Sequence, residues 1–142
     1  MRANLILGAG FLSRYILSSV PQASKNWMVN RSGFATVPGK NEELFKADIL
    51  ERRSLKEISS RMPGFDGYVF YLVPPSSFGA KAVTASLQPL FEVLDKGLIR
   101  GILVVSSTGV FSESNEETVN NSTCISGKTR RVERLLEIED AW

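Results

Sequence analysis

Histidine is absent from the 142 residues, and cysteine occurs once, at Cys124. The first absence excludes a histidine-based nucleophilic triad and leaves no imidazole for a conventional zinc site. A single cysteine cannot close an internal disulfide, so the expected compartment is a reducing cytoplasm. Long apolar runs are also missing. Leu5-Ile6-Leu7 is too short for a membrane span or a signal core and leads straight into glycine. The sequons at Asn30, Asn120 and Asn121 are accordingly read as incidental, because glycosylation needs secretion. Charge of one sign is not in excess: 17 basic and 15 acidic residues leave a net charge of +2. That balance gives no reason to expect nucleic acid or a membrane surface as a partner.

What remains is an ordinary globular composition, 43% hydrophobic and 23% charged. The length suits one domain over residues 1–142, burying roughly two-thirds of its unfolded surface. No internal repeat, low-complexity tract or interdomain linker interrupts it.

The chain is organised around Leu5-Ile6-Leu7-Gly8-Ala9-Gly10-Phe11-Leu12-Ser13. A short buried strand enters a Gly-x-Gly-x-x-Ser turn, and Leu12, Tyr15, Ile16 and Val20 then recur at helical spacing. Strand, glycine turn and helix in this order form the context a dinucleotide fingerprint requires. Gly8 suits the tight turn, Gly10 lets a pyrophosphate approach the backbone, and Ser13 keeps the helix close to the strand. The helix N-terminus then presents free N–H groups to the phosphates, and Gly8, Gly10, Phe11 and Leu12 are the cofactor-binding residues expected at this turn. The plainer reading is a strand-to-helix turn that uses glycine for its geometry alone.

Further along, the pattern predicts a first helix over 11–20, closed by Pro21, and a strand at Trp27-Met28-Val29. A loop over 32–41 and a strand at 44–47 follow, then a short amphipathic helix around Ser54 to Ile58 ended by Pro63-Gly64. Tyr68-Val69-Phe70-Tyr71-Leu72-Val73 reads as a strand buried on both faces. A helix over about 80–96 carries Val83, Leu87, Leu90, Phe91 and Leu94 inward, with Pro89 kinking it or starting a second helix. Ile102 to Val105 makes the fifth strand. A final helix from about Ser126 carries Val132, Leu135, Leu136 and Ile138. The fold class is therefore α/β, a Rossmann-type doubly wound parallel sheet of about five strands in the order 3-2-1-4-5.

In such a sheet ligands bind beyond the carboxyl ends of the strands, where the order reverses. Arg31 follows the second strand at the place where an NAD-binding protein carries an acid for the ribose 2′-hydroxyl. A guanidinium there suits a 2′-phosphate, which favours NADP with NAD as the second choice; a solvated loop charge is the other reading. Asp48 and Ile49 leave the third strand. They either meet the adenine or, for Asp48, cap the next helix. Val73 and Pro74 wall the cofactor on the far side, as shape rather than chemistry.

Taken in order, Gly8-x-Gly10-x-x-Ser13, Asn30-Arg31, Ala47-Asp48-Ile49 and Val105-Ser106-Ser107-Thr108-Gly109-Val110-Phe111 resemble the extended short-chain dehydrogenase/reductase superfamily. The narrower likeness is to its atypical NAD-dependent epimerase/dehydratase type, and it covers the amino-terminal half of such an enzyme. The resemblance implies that Ser107 hydrogen-bonds the substrate oxygen undergoing redox change. It also implies a Tyr-x-x-x-Lys pair at the start of the last helix, the tyrosine as general acid/base and the lysine on the nicotinamide ribose. Here Lys128 fits the lysine position, but Cys124 stands where the tyrosine belongs. Lys128 one turn away could depress the thiol pKa, yet a thiol is shorter than a phenol; an inert semi-buried cysteine is the alternative.

Relatives in that family continue into a sixth strand and a substrate lobe, and the sequence ends before that strand at Trp142. Two functions are therefore carried forward. The first is the NADP-binding domain of an epimerase/dehydratase-like oxidoreductase, not catalytically competent as 142 residues and with a small-molecule substrate only if a second lobe is supplied. The second is a non-catalytic nucleotide sensor that keeps the cradle. The family also implies a homodimer through the helices after the fourth and fifth strands.

Overall fold

The computed structural model describes residues 3–21, 24–33, 41–62, 64–94, 98–107 and 129–142. Five parallel strands carry it: β1 (Ala3–Leu7), β2 (Lys25–Asn30), β3 (Glu42–Lys46), β4 (Gly67–Tyr71) and β5 (Ile99–Val104). Their order is β3-β2-β1-β4-β5, as the alternation of apolar runs predicts. The helices are α1 (Ser13–Ser19), α2 (Arg52–Arg61), α3 (Val83–Val93) and α4 (Arg130–Ala141), with a 3-10 turn at Pro75–Phe78.

Register and pleat decide which residues form the core. Leu5 lies opposite Trp27 of β2 and Val69 of β4, and Leu7 lies opposite Val29 and Tyr71. These side chains share one face, where Leu55, Ile58, Leu87, Leu90 and Ile138 from α2, α3 and α4 close over them. Each fully buried side chain of this size is worth about 1.5–3 kcal/mol relative to exposure. On the other face Ile6, Ala9 and Met28 pack under Ile16 and Leu17 of α1. All five residues of β1 are buried, which makes it the central strand of the sheet.

Two local features lock β1 in place. Asn4 and Asn26 are register partners, both buried, and Asn4 Nδ2 donates to Asn26 Oδ1 at 2.8 Å. A one-residue slip would strand these amides away from water, at about 1–3 kcal/mol for each group left unsatisfied. On the opposite side, β4 comes so close at Gly67 that a Cβ there would sit 1.8 Å from the Ala3 carbonyl oxygen. Only glycine permits that approach.

Several expectations are corrected. β4 is buried on one face: Val69 and Tyr71 are covered, whereas Tyr68 is 45% exposed and Leu103 on β5, opposite Phe70, is 48% exposed. The reason is the seating of α1 over Ile6 and Met28; among the described residues no helix reaches that face at β5. α1 begins at Ser13, so Ser13, Ile16 and Leu17 turn inward while Leu12 and Tyr15 face solvent. α3 keeps its predicted apolar face but is shorter, and Pro89 lies within this one helix and does not begin a second. The turn at Pro75–Phe78, which buries Phe78, has no periodic signal and was not expected. For the last helix, 126–128 lie outside the described residues. α4 starts at Arg130, with Thr129 Oγ1 accepting from the Val132 amide at 3.3 Å as its N-cap.

Tertiary ion pairs lie at the surface, Arg52 with Glu92, Arg61 with Glu43, and Arg100 with Asp66. Pairs so exposed contribute about 0–1 kcal/mol each and do not decide the fold.

The close contact at Gly67 yields a test by comparison with Gly64, which has φ +65 and nothing within 4 Å of a built Cβ. Gly64→Ala is expected to cost about 1–2 kcal/mol through left-handed backbone strain alone. Gly67→Ala is expected to cost more than about 4 kcal/mol, because backbone must separate from backbone. Urea denaturation of the two variants measures the difference, and equal midpoints would contradict the packing described for β1 and β4.

Candidate functional site

At the carboxyl edge of the sheet the chain leaves β1 through Gly8 with φ +82, a conformation that glycine adopts without strain. The turn is fastened to β2: the amides of Gly8 and Ala9 both donate to the Val29 carbonyl, at 2.9 and 3.0 Å. On the other side the Leu72 amide donates to the Leu7 carbonyl at 2.8 Å. A Cβ on Gly8 would press against the Leu72 carbonyl carbon and the Val73 amide and side chain, all at 3.0 Å. Gly8 is thus required by backbone geometry and by its neighbour at the exit of β4.

Gly10 differs. It is exposed, and a Cβ there would meet only the Gly8 carbonyl oxygen, at 3.8 Å. The Gly10 carbonyl is held instead, accepting from Ser13 Oγ at 2.6 Å and from the Ser13 amide at 3.2 Å. Ser13 is buried, and this bond ties the first residue of α1 back to the turn. Among the described residues the amides of Gly10, Phe11 and Leu12 have no hydrogen-bond acceptor. Successive unbonded backbone donors before a helix are an arrangement that suits an anion.

A cavity of about 360 Å³ opens beside this turn. Gly8, Ala9 and Gly10 form one wall, Asn30, Arg31 and Ser32 a second, Asp48 and Ile49 a third, and Val73, Pro74 and Ser77 close it. The sheet order brings these segments together because β1 separates β2–β3 from β4–β5 at the point where the chain direction of crossing reverses. Arg31 is exposed and makes no ion pair among the described residues. Asp48 does not cap α2, whose N-cap is Glu51. Its Oδ1 accepts from the Leu50 amide at 2.9 Å in a local turn, and the residue lines the cavity.

Phe11 and Leu12 do not line the cavity with their side chains. Phe11 is 65% exposed, stacked edge-on against Tyr15 with Arg14 over its ring. Ser107 lies on the same carboxyl edge, three residues beyond β5, but lines no cavity described here. Cys124 and Lys128 fall outside the described residues.

One brace escaped the sequence reading. Asn30 Nδ2 donates to the Ala9 carbonyl at 2.8 Å, and its Oδ1 accepts from the Gly33 amide at 2.6 Å. This side chain couples the glycine turn to the turn that carries Arg31. Its adjacency to Arg31 was visible, but nothing in the spacing told that it reaches back 21 residues.

The resemblance expects a tyrosine at position 124, and no other tyrosine takes its place at the cavity. The chain has three, and none lines the cavity. Tyr71 sits in the core against Trp142, where burial pushes its phenol well above the ordinary value. Tyr15 and Tyr68 are exposed elsewhere.

The sheet order and the glycine turn at its reversal define a Rossmann-type doubly wound α/β fold, and solved epimerase structures share that fold over about half their length. A UDP-Glc/GlcNAc 4-epimerase from Campylobacter jejuni matches with a TM-score of 0.73 at 13% identity, over 99% of this chain and 47% of that one. A UDP-glucose 4-epimerase from Thermotoga maritima gives 0.69 and 14%, over 97% and 49%. A Methylobacillus flagellatus protein described as an NAD-dependent epimerase/dehydratase gives 0.72 and 24%, over 98% and 49%. At these identities the likeness is one of fold, and the chain spans about half the length of the solved structures it matches. No protein-family model and no curated protein matches the sequence.

Two substitutions separate the role of the brace from that of the turn. Gly10→Val should leave the unfolding midpoint within about 0.5 kcal/mol of the parent, since the added atoms enter open space. Asn30→Ala should lower stability by about 1–3 kcal/mol, because it orphans part-buried backbone groups. Thermal unfolding followed by circular dichroism measures both; a larger loss for Gly10→Val would mean that the cavity is not open at Gly10.

Proposed function

We propose that this chain binds a nicotinamide dinucleotide in the cavity beside the Gly8–Gly10 turn. The observation that carries the reading is the cavity that Gly8 to Gly10 share with Arg31 and Asp48, with the unbonded amides of Gly10, Phe11 and Leu12 at its edge. The residues fit such a group. The amides receive the pyrophosphate, Ile49 lies against the adenine with Asp48 Oδ2 toward its amine, and Val73 and Pro74 wall the opposite side. Arg31 in the position that follows β2 favours the 2′-phosphate of NADP over the bare ribose of NAD.

When bound, the cofactor supplies hydride transfer. The chain's own part is to hold and orient it. In a complete enzyme of this architecture Ser107 would donate to the reacting oxygen and Lys128 would hold the nicotinamide ribose. The solved structures of like fold named as epimerases act on UDP-sugars by their names, which makes a nucleotide sugar a candidate substrate for a longer protein. With Cys124 in the tyrosine position and none of the three tyrosines at the cavity, the chain lacks a phenol to move the proton. We therefore assign it binding without turnover. The same observation favours, as a second reading, a nucleotide sensor that works through a protein partner, including a second copy of this chain.

Calorimetric titration decides between binding and none. NADPH is expected to bind at least about tenfold more tightly than NADH, roughly 1.4 kcal/mol, and Arg31→Glu to reverse the order. Gly10→Val should abolish both. Absence of binding by either nucleotide at about 1 mM, an affinity of roughly 4 kcal/mol, would end the reading. Robust oxidation of NADPH with a panel of sugar or carbonyl substrates would overturn the claim of no turnover.

A further inference from the structure

A second cavity, about 350 Å³, lies on the same edge of the sheet beyond Pro74. Among the described residues its lining is Pro74, Pro75 and Ser76 on one side and Arg130, Arg131 and Arg134 of α4 on the other. Pro74 belongs to both cavities, so the two are neighbours across a single residue.

The three guanidinium groups are expensive where they stand. Arg130 and Arg131 are the first two residues of α4, where the helix dipole disfavours positive charge. Arg130 and Arg134 are four apart and Arg131 and Arg134 three apart, the spacings at which like charges on one helix repel. Arg52, Arg61 and Arg100 each meet a carboxylate, whereas Arg31 at the first cavity meets none among the described residues. Arg130, Arg131 and Arg134 meet none among the described residues, although Glu133 and Glu137 share their helix. Folding requires none of this. Val132, Leu135 and Ile138 seat the helix from its other side.

We infer that this cavity is an anion site, and that it takes a phosphate or diphosphate group of a second ligand bound alongside the dinucleotide. Guanidinium suits that chemistry because its planar fork pairs two donors with two phosphate oxygens. Three such forks facing one cavity suit a polyanionic group better than a single carboxylate. The opposite wall supports the choice: two prolines offer no amide donor there, so the cations must supply the hydrogen bonds, with the Ser76 hydroxyl beside them. The inference rests on the dinucleotide reading only for the word alongside. The site itself stands on its own residues.

The test uses inorganic pyrophosphate as the probe and the whole chain, followed by amide NMR with and without saturating NADPH. Pyrophosphate is expected to shift the amides of Thr129 to Arg134 and of Ser76 and Ser77, and to do so with NADPH present. The triple variant Arg130→Gln, Arg131→Gln, Arg134→Gln should weaken that binding at least tenfold while leaving NADPH affinity within twofold. The matching lysine triple variant, which keeps the charge but not the fork, should fall between the two. The salt dependence of binding should flatten in the glutamine variant. If pyrophosphate shifts only Gly8 to Leu12 and competes with NADPH, it is reading the glycine turn and the proposed site is wrong. Equal binding by the parent and the glutamine variant also overturns it. If NADPH fails to bind while pyrophosphate still maps to α4, the dinucleotide reading fails and the anion site stands.

Discussion

The first turn is held from both sides at once. Gly8 and Ala9 donate to the Val29 carbonyl, Asn30 reaches back to Ala9, and Leu72 donates to Leu7 from the opposite flank. The bonds are ordinary in strength, each worth about 0.5–1.5 kcal/mol net. Their consequence is positional. With β1 buried between β2 and β4, its exit has no freedom to move independently of the exits of both neighbours. Everything proposed for the cavity follows, since its walls are those three exits and that of β3.

That constraint explains a division of labour between the two glycines. Gly8 is fixed by folding: its φ is positive and a side chain would strike Leu72 and Val73. Gly10 is fixed by nothing in the fold, because a side chain there meets only open cavity. A residue that structure does not require, at the mouth of a cavity with unbonded amides, is better accounted for by a ligand than by packing. The arginines at the start of α4 follow the same logic on the neighbouring cavity. Folding gives no return for placing like charges at a helix start.

The sequence carried a good deal of this architecture. Alternation of apolar runs and helical spacings specified five strands, their parallel order and the inward face of α3, because those patterns report burial directly. The turn was legible too, since glycine between a strand and a helix suits the positive φ found at Gly8. Less legible were features that depend on rotation or reach. The inward face of α1 was misjudged by one position because its first residue, Ser13, is fixed by a hydrogen bond to Gly10 rather than by periodicity. Burial of β4 on both faces was inferred from composition, whereas exposure at Tyr68 and Leu103 depends on where α1 comes to rest.

Composition and spacing by themselves determined the α/β class and the absence of a histidine-based triad from these 142 residues, because each is a property of which residues occur and how far apart. Only the tertiary structure decided that Asn30 braces the turn, that Asp48 turns one oxygen to the Leu50 amide, and that Phe11 and Leu12 keep their side chains out of the cavity. It also decided that three arginines 130–134 residues along the chain face Pro74 to Ser76. Those facts join segments that are distant in sequence, and their distances exist only once the sheet has set the strand exits side by side.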